Sequence, residues 1–163
     1  MSQDNIEKTI VLKASRERAW SPIAEAKNFG DWFGVAFDGP FVAGEELSGH
    51  IVPTQVDADV AKMQEPHRGT PFHIVVETIA SKTRFAFRWH PFAIDKTKDY
   101  SQEPTTLVTF ALSDAEGGVL LTITETGFEN IPAERRAQAF AANDGGWAHQ
   151  AKLVAKYLAR EEN

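Results

Sequence analysis

Apolar and polar residues alternate between Ile6 and Lys13, with Ile6, Lys8, Ile10 and Leu12 on one side and Glu7, Thr9, Val11 and Lys13 on the other. This period of two predicts a first strand with one mostly apolar face. Ser15 offers a helix N-cap, and Arg16 to Ala26 predicts an amphipathic helix turning Ala19, Trp20 and Ile23 toward a core. Pro22 kinks or shortens that helix, because proline lacks a backbone donor and crowds the preceding turn. Asn28 to Phe33 predicts a second short helical turn presenting Trp32 and Phe33, and Gly34, Gly39, Pro40 and Gly44 mark turns after it.

The middle of the chain is strand-rich. Glu46 to Val52 predicts a strand, and the polar stretch from Pro53 to Pro71 a long hairpin loop with one helical turn around Val60. Phe72, Ile74, Val76 and Thr78 share one face of the next strand; after a turn at Ala80 to Lys82, Phe85, Phe87 and Trp89 continue it, with Arg84, Arg88 and His90 opposite. A second long connection runs from Pro91 to Pro104 and carries Asp95, Lys96, Lys98, Asp99 and Tyr100. Two strands follow, one centred on Val108, Phe110 and Leu112 and one on Val119, Leu121 and Ile123, closed by Gly117–Gly118.

From Pro132 the period becomes helical. Pro132 suits a first helical position, a short helix runs through Ala142, and Asn143 to Gly146 predicts a weak point before the final helix. There Trp147, Ala151, Val154 and Leu158 recur at steps of four, three and four and form one apolar stripe. A lone terminal helix beside a run of antiparallel strands must bury its stripe on the sheet, which predicts a two-layer α+β domain, a single one spanning residues 1–163, with the curved sheet wrapped around the helix. The four tryptophans and eleven phenylalanines mostly pack a core. Bulky rings meeting from a curved sheet and a helix also line cavities, and the wall candidates are Trp32, Phe87, Trp89, Val108, Phe110, Trp147, Ala151 and Val154.

Composition then removes several function classes. The chain has no cysteine, so disulfides, a thiolate nucleophile and cysteine-based metal sites are excluded. No stretch approaches the roughly 20 apolar residues that span a bilayer, so membrane insertion is not expected and a cytoplasmic location is. The net charge of -6, with basic residues scattered, argues against a grip on nucleic acid. The five histidines show no metal-ligand spacing, and no nucleophile elbow, P-loop or dinucleotide fingerprint occurs, so no metal and no cofactor are expected.

Six stretches in order carry a family likeness: Ser15–Trp20 (SRERAW), Phe29–Phe33 (FGDWF), Phe85–Pro91 (FAFRWHP), Pro104–Phe110 (PTTLVTF), Leu121–Phe128 (LTITETGF) and Gly145–Trp147 (GGW). Together they resemble the START-like (SRPBCC) superfamily, and within it the group similar to the C-terminal domain of the activator of Hsp90 ATPase. The resemblance covers almost the whole chain. It implies a helix-grip (START/Bet v 1-like) fold with an internal cavity for a small apolar or amphipathic molecule. It implies no single reaction, since relatives include ligand carriers, cyclases and a co-chaperone.

Three readings follow. The preferred one is binding of a small apolar or amphipathic ligand between sheet and terminal helix. The second is an interaction module contacting Hsp90. The third is a cyclase- or hydrolase-type enzyme in which His90, Glu125 and Tyr100 transfer protons. Strict alternation turns His90 and Glu125 opposite ways, so a hydrogen bond pinning a loop is the expected role for either. Arg84 and Arg88 are expected on a solvated sheet face and Arg135–Arg136 in water. The loop from Asp95 to Glu103 is expected over the cavity or at a subunit contact, and one sheet edge is free to pair with a second copy as a homodimer, though nothing requires it.

Overall fold

A computed structural model describes residues 5–92 and 97–161. Among them the chain forms β1 (Asn5–Leu12), α1 (Arg16–Ala24), α2 (Ala26–Phe33), β2 (Val35–Phe37), β3 (Glu46–Ile51), α3 (Ala58–Gln64), β4 (Pro71–Ala80), β5 (Arg84–Trp89), β6 (Thr106–Ala115), β7 (Gly118–Thr126) and α4 (Ala133–Glu161). Asp95 and Lys96 of the second long connection lie outside the described residues.

The strands join one antiparallel sheet in the order β1-β7-β6-β5-β4-β3-β2, curved around α4. The expected α+β helix-grip arrangement is therefore the one adopted. The first strand lies beside the last, with Ile6 opposite Glu125 and Leu12 opposite Val119. Gly118 makes that meeting possible, since a Cβ there would stand 2.0 Å from the Leu12 carbonyl oxygen.

Local chemistry sets the boundaries. The Ser15 side chain accepts from the Arg18 amide at 3.1 Å and starts α1. Pro22 shortens the expected Arg16–Ala26 helix: α1 stops at Ala24, Glu25 is extended, and α2 begins anew. Trp32 Nε1 donates to the Pro22 carbonyl at 2.8 Å, meeting one of the acceptors that a helix end leaves free. Gly34, at φ 100, closes α2 in the left-handed conformation. β2 was not anticipated, being three residues between turn signals. The polar stretch after β3 holds more helix than expected, because Asp57 accepts from the amides of Asp59 and Val60 and caps α3.

Two patterns are corrected. Val76 pairs with Phe87 but Ile79, not Thr78, pairs with Phe85. One extra residue at a bulge moves Thr78 off the inner face and puts Ile79 on it. The two expected C-terminal helices are a single helix of 29 residues. Asn143 and Trp147, one turn apart, are both tied to the same buried carboxylate, which carries the helix across Gly145 and Gly146.

The interior opposite α2 is filled with rings. Phe29 is the hub, with centroids 4.6 Å from Trp32, 5.6 Å from Phe110 and 6.4 Å from Phe87. α4 rests mainly against β1, α1 and α2, so the far half of the sheet faces it across a wider gap. That gap is where the candidate site lies.

Candidate functional site

Glu125 follows Leu121 and Ile123 along the inner face of β7 and is fully buried. A carboxylate is costly to bury unless its lone pairs are met. Here four neutral side chains meet them. Trp89 Nε1 and Thr106 Oγ1 donate to Oε2 at 2.8 and 2.5 Å. Trp147 Nε1 donates to Oε1 at 2.8 Å, and Asn143 Nδ2 reaches both oxygens at 3.0 and 3.2 Å. Trp89 and Thr106 stand opposite each other on β5 and β6, while Asn143 and Trp147 come from α4. One carboxylate thus fastens the helix to the sheet and fixes two indoles 5.7 Å apart.

The Trp89 indole forms part of the wall of a cavity of about 390 Å³, bounded also by Phe33, Ile51, Phe72 and Phe92, and the Trp147 indole lines an adjoining space of about 140 Å³ that shares Phe33, Trp89, Asn143 and Gln150 with it. Its polar edge includes Gln64, Thr70, His90, Asn143 and Gln150. Gln64 is engaged by the Thr54 amide and the Phe33 carbonyl. Thr70 Oγ1 and Gln150 Oε1 are buried with no hydrogen-bond partner among the described residues. Larger hollows of about 460 and 670 Å³ lie elsewhere, but the first is edged by Arg18, Lys27, Asp31 and Arg160 and the second by the Asp38–Phe41 turn. Neither combines ring walls with unmet buried polar atoms, so the smaller cavity is the candidate site.

Phe92, at the cavity edge, holds φ 51, a left-handed conformation that a bulky residue adopts at a cost. Next to it, Arg135 gathers the connection: it donates from Nε to Glu103 Oε1 at 2.8 Å and from Nη1 to the Pro91 carbonyl at 2.7 Å. Its Nη2 lies 2.7 Å from the same carboxylate oxygen as an ion pair without hydrogen-bond alignment. Burial alone would raise the Glu103 carboxyl, but hydrogen bonds and charge from Arg135 and Lys98 outweigh it and hold the group below its ordinary range.

Of the eight expected wall residues, Trp89 borders both spaces and Trp147 the smaller one. Trp32, Phe87, Val108, Phe110, Ala151 and Val154 are packed in the core, where the Phe29 ring lies against those of Trp32, Phe87 and Phe110. The three proton-transfer candidates are not brought together. Glu125 sits behind the indoles, and His90 Nε2 donates to the Glu103 carbonyl at 3.1 Å, tying the end of β5 to the connection. Tyr100 lies against Arg135, 4.8 Å from guanidinium to ring centre. Arg88 pairs with Glu77 at 3.0 Å on the solvated face, as expected. Arg135 and Arg136 do not simply face water; both are half-buried, and Arg136 binds the carbonyls of Glu129 and Ile131. The sequence reading missed Phe33, Phe72, Phe92, Thr70, Asn143 and Gln150. Asn143 and Gln150 were within reach of it, since they extend the Trp147 stripe by steps of four and three on its polar side. Among the described residues, no group of three histidine, aspartate or glutamate side chains is arranged to hold a metal ion, and no helix is long and apolar enough to cross a membrane.

Comparison with known proteins gives a consistent answer for the fold. The profile of the family described as "Activator of Hsp90 ATPase homolog 1-like protein" matches residues 13–159. Protein MLL2253 from Mesorhizobium loti is 16% identical with a TM-score of 0.68, the match covering 96% of this chain and 97% of that one. A protein from Arthrobacter aurescens is 16% identical with a TM-score of 0.70 over 96% of this chain and 86% of that one. DynU16, a protein in the dynemicin biosynthetic locus, is 18% identical with a TM-score of 0.66; the match covers 96% of this chain but only 47% of DynU16, so this chain spans about half its length. No curated protein matches the chain.

Proposed function

The chain belongs to the activator of Hsp90 ATPase homolog 1-like family, and from that premise and the geometry of the site we propose that it binds a small apolar or amphipathic molecule in the cavity beside α4. The observation that carries this reading is the ring-walled space of about 390 Å³, which is within the usual volume range of small-molecule sites. The indoles of Trp89 and Trp147 are held rigid by Glu125, so little ordering remains to be done when a ligand enters. The strained backbone at Phe92 supports the same reading, since strain kept at a cavity edge is a common mark of a functional position.

Titration with N-phenyl-1-naphthylamine, a neutral fluorophore that brightens in apolar surroundings, tests it. Saturable binding at one site per chain is expected. Phe92→Asn removes a ring from the wall and replaces it with a residue at ease in the left-handed region, so affinity should fall about three- to tenfold while thermal stability holds or rises. A linear, unsaturable signal, or wild-type affinity in Phe92→Asn, overturns the assignment.

A further inference from the structure

The cavity's polar edge divides into groups that are already engaged and groups that are not. Gln64, Asn143 and His90 spend hydrogen-bonding capacity on the Phe33 carbonyl, Glu125 and the Glu103 carbonyl. Among the described residues, Gln150 Oε1 and Thr70 Oγ1 have no partner, although both atoms are closed off from solvent. Leaving a buried acceptor unmet is unfavourable, and buried polar side chains are met in the great majority of cases. Gln150 is placed as a ligand contact would be: it continues the face of α4 that presents Asn143 and Trp147, and it borders both the larger and the smaller space.

The charge of the edge narrows the chemistry further. Among the described residues, no lysine, arginine, aspartate or glutamate borders either space. His67, His73 and His90 are the titratable groups on the larger space, so among the described residues an anionic head group finds no permanent cation there, and a cationic one no carboxylate, since Glu125 lies behind the indoles with its oxygens taken. An amide oxygen is acceptor only, so it discriminates where the Thr70 hydroxyl, both donor and acceptor, does not.

We propose that the cavity selects uncharged, ring-bearing molecules that offer a hydroxyl or N–H to Gln150 Oε1, an inference that rests on the binding reading above and names its ligand class. Displacement of N-phenyl-1-naphthylamine by three probes of similar size separates the possibilities. 2-Naphthol, a neutral donor, should compete about five- to tenfold better than 2-methoxynaphthalene, which has no donor, and than the anionic 2-naphthoate. Gln150→Leu should remove the advantage of 2-naphthol and leave 2-methoxynaphthalene unchanged or slightly tighter. Because Gln150 Oε1 supports no other group among the described residues, the melting temperature of ligand-free Gln150→Leu should not drop, whereas a purely structural glutamine would show a loss. Equal competition by all three probes, tighter binding of 2-naphthoate, or a preference that survives in Gln150→Leu overturns the donor assignment while the cavity remains a binding site. Absence of saturable fluorophore binding in the wild-type chain overturns both.

Discussion

Changing one oxygen of Glu125 into an amide nitrogen tests how firmly the two indoles are held. In Glu125→Gln the new NH2 group faces donors from Trp89, Thr106 or Trp147, so at least one buried N–H or O–H loses its acceptor. A loss of about 2–3 kcal/mol is expected. For a chain of this length that lowers the melting temperature by roughly 4–12 °C, readable by circular dichroism, and tryptophan emission should shift to the red as the rings loosen. A variant melting with the wild type would show that the carboxylate is not the fastening point. The inward direction of Glu125 was legible in its parity with Leu121 and Ile123. Its partners were not, since Trp89, Thr106 and Asn143 are joined only by strand register and by the path of α4. The Phe29 hub was equally hidden: the sequence shows many rings, but which of them fill the interior depends on how α2 docks against β5 and β6.

Glycine at two neighbouring positions of α4 offers a separation of stability from binding. Neither Gly145 nor Gly146 has any atom within 4 Å of where a Cβ would stand, and both are helical. Alanine at either should stabilise the chain by about 0.5–1 kcal/mol, since glycine is the weaker helix former. Gly146 borders the smaller space and Gly145 does not. Gly145→Ala should therefore raise the melting temperature with fluorophore affinity intact, while Gly146→Ala raises it and weakens binding; identical affinities would remove Gly146 from the site. These glycines are why sequence reading divides α4 in two. Local propensity does predict a break there, and two tertiary hydrogen bonds to Glu125 override it. The β4 bulge is a comparable case. Strict alternation assigns Thr78 inward, and only the pairing with β5 reveals the extra residue. Elements with a clear period, namely β1, β5, β6, β7 and the Trp147 stripe, follow the sequence closely.

For the molecule as a whole, acid tests the ion pairs that hold the connection and α3 in place. The Lys156 ammonium, hydrogen-bonded to Asp57, and Arg135 with Lys98 around Glu103 keep both carboxyls below their ordinary ranges. A carboxyl depressed in the folded state adds stability that is fully present above its unfolded value and is lost as pH falls through the folded one. The melting temperature should thus be flat near neutrality and begin to fall below the ordinary glutamate value of 4.5. Glu103→Gln should show a shallower acid decline between about pH 5 and pH 3. Equal slopes would mean that the Arg135 contact is formed in the unfolded chain as well, or contributes nothing. The sheet order has a further outcome, in time. β1 leaves the ribosome well before its neighbour β7, which follows roughly a hundred residues later, several seconds of synthesis at about 5–20 residues per second. β1 must wait through that interval without the neighbour it pairs with in the sheet, and β7 completes a pairing that β1 has held open.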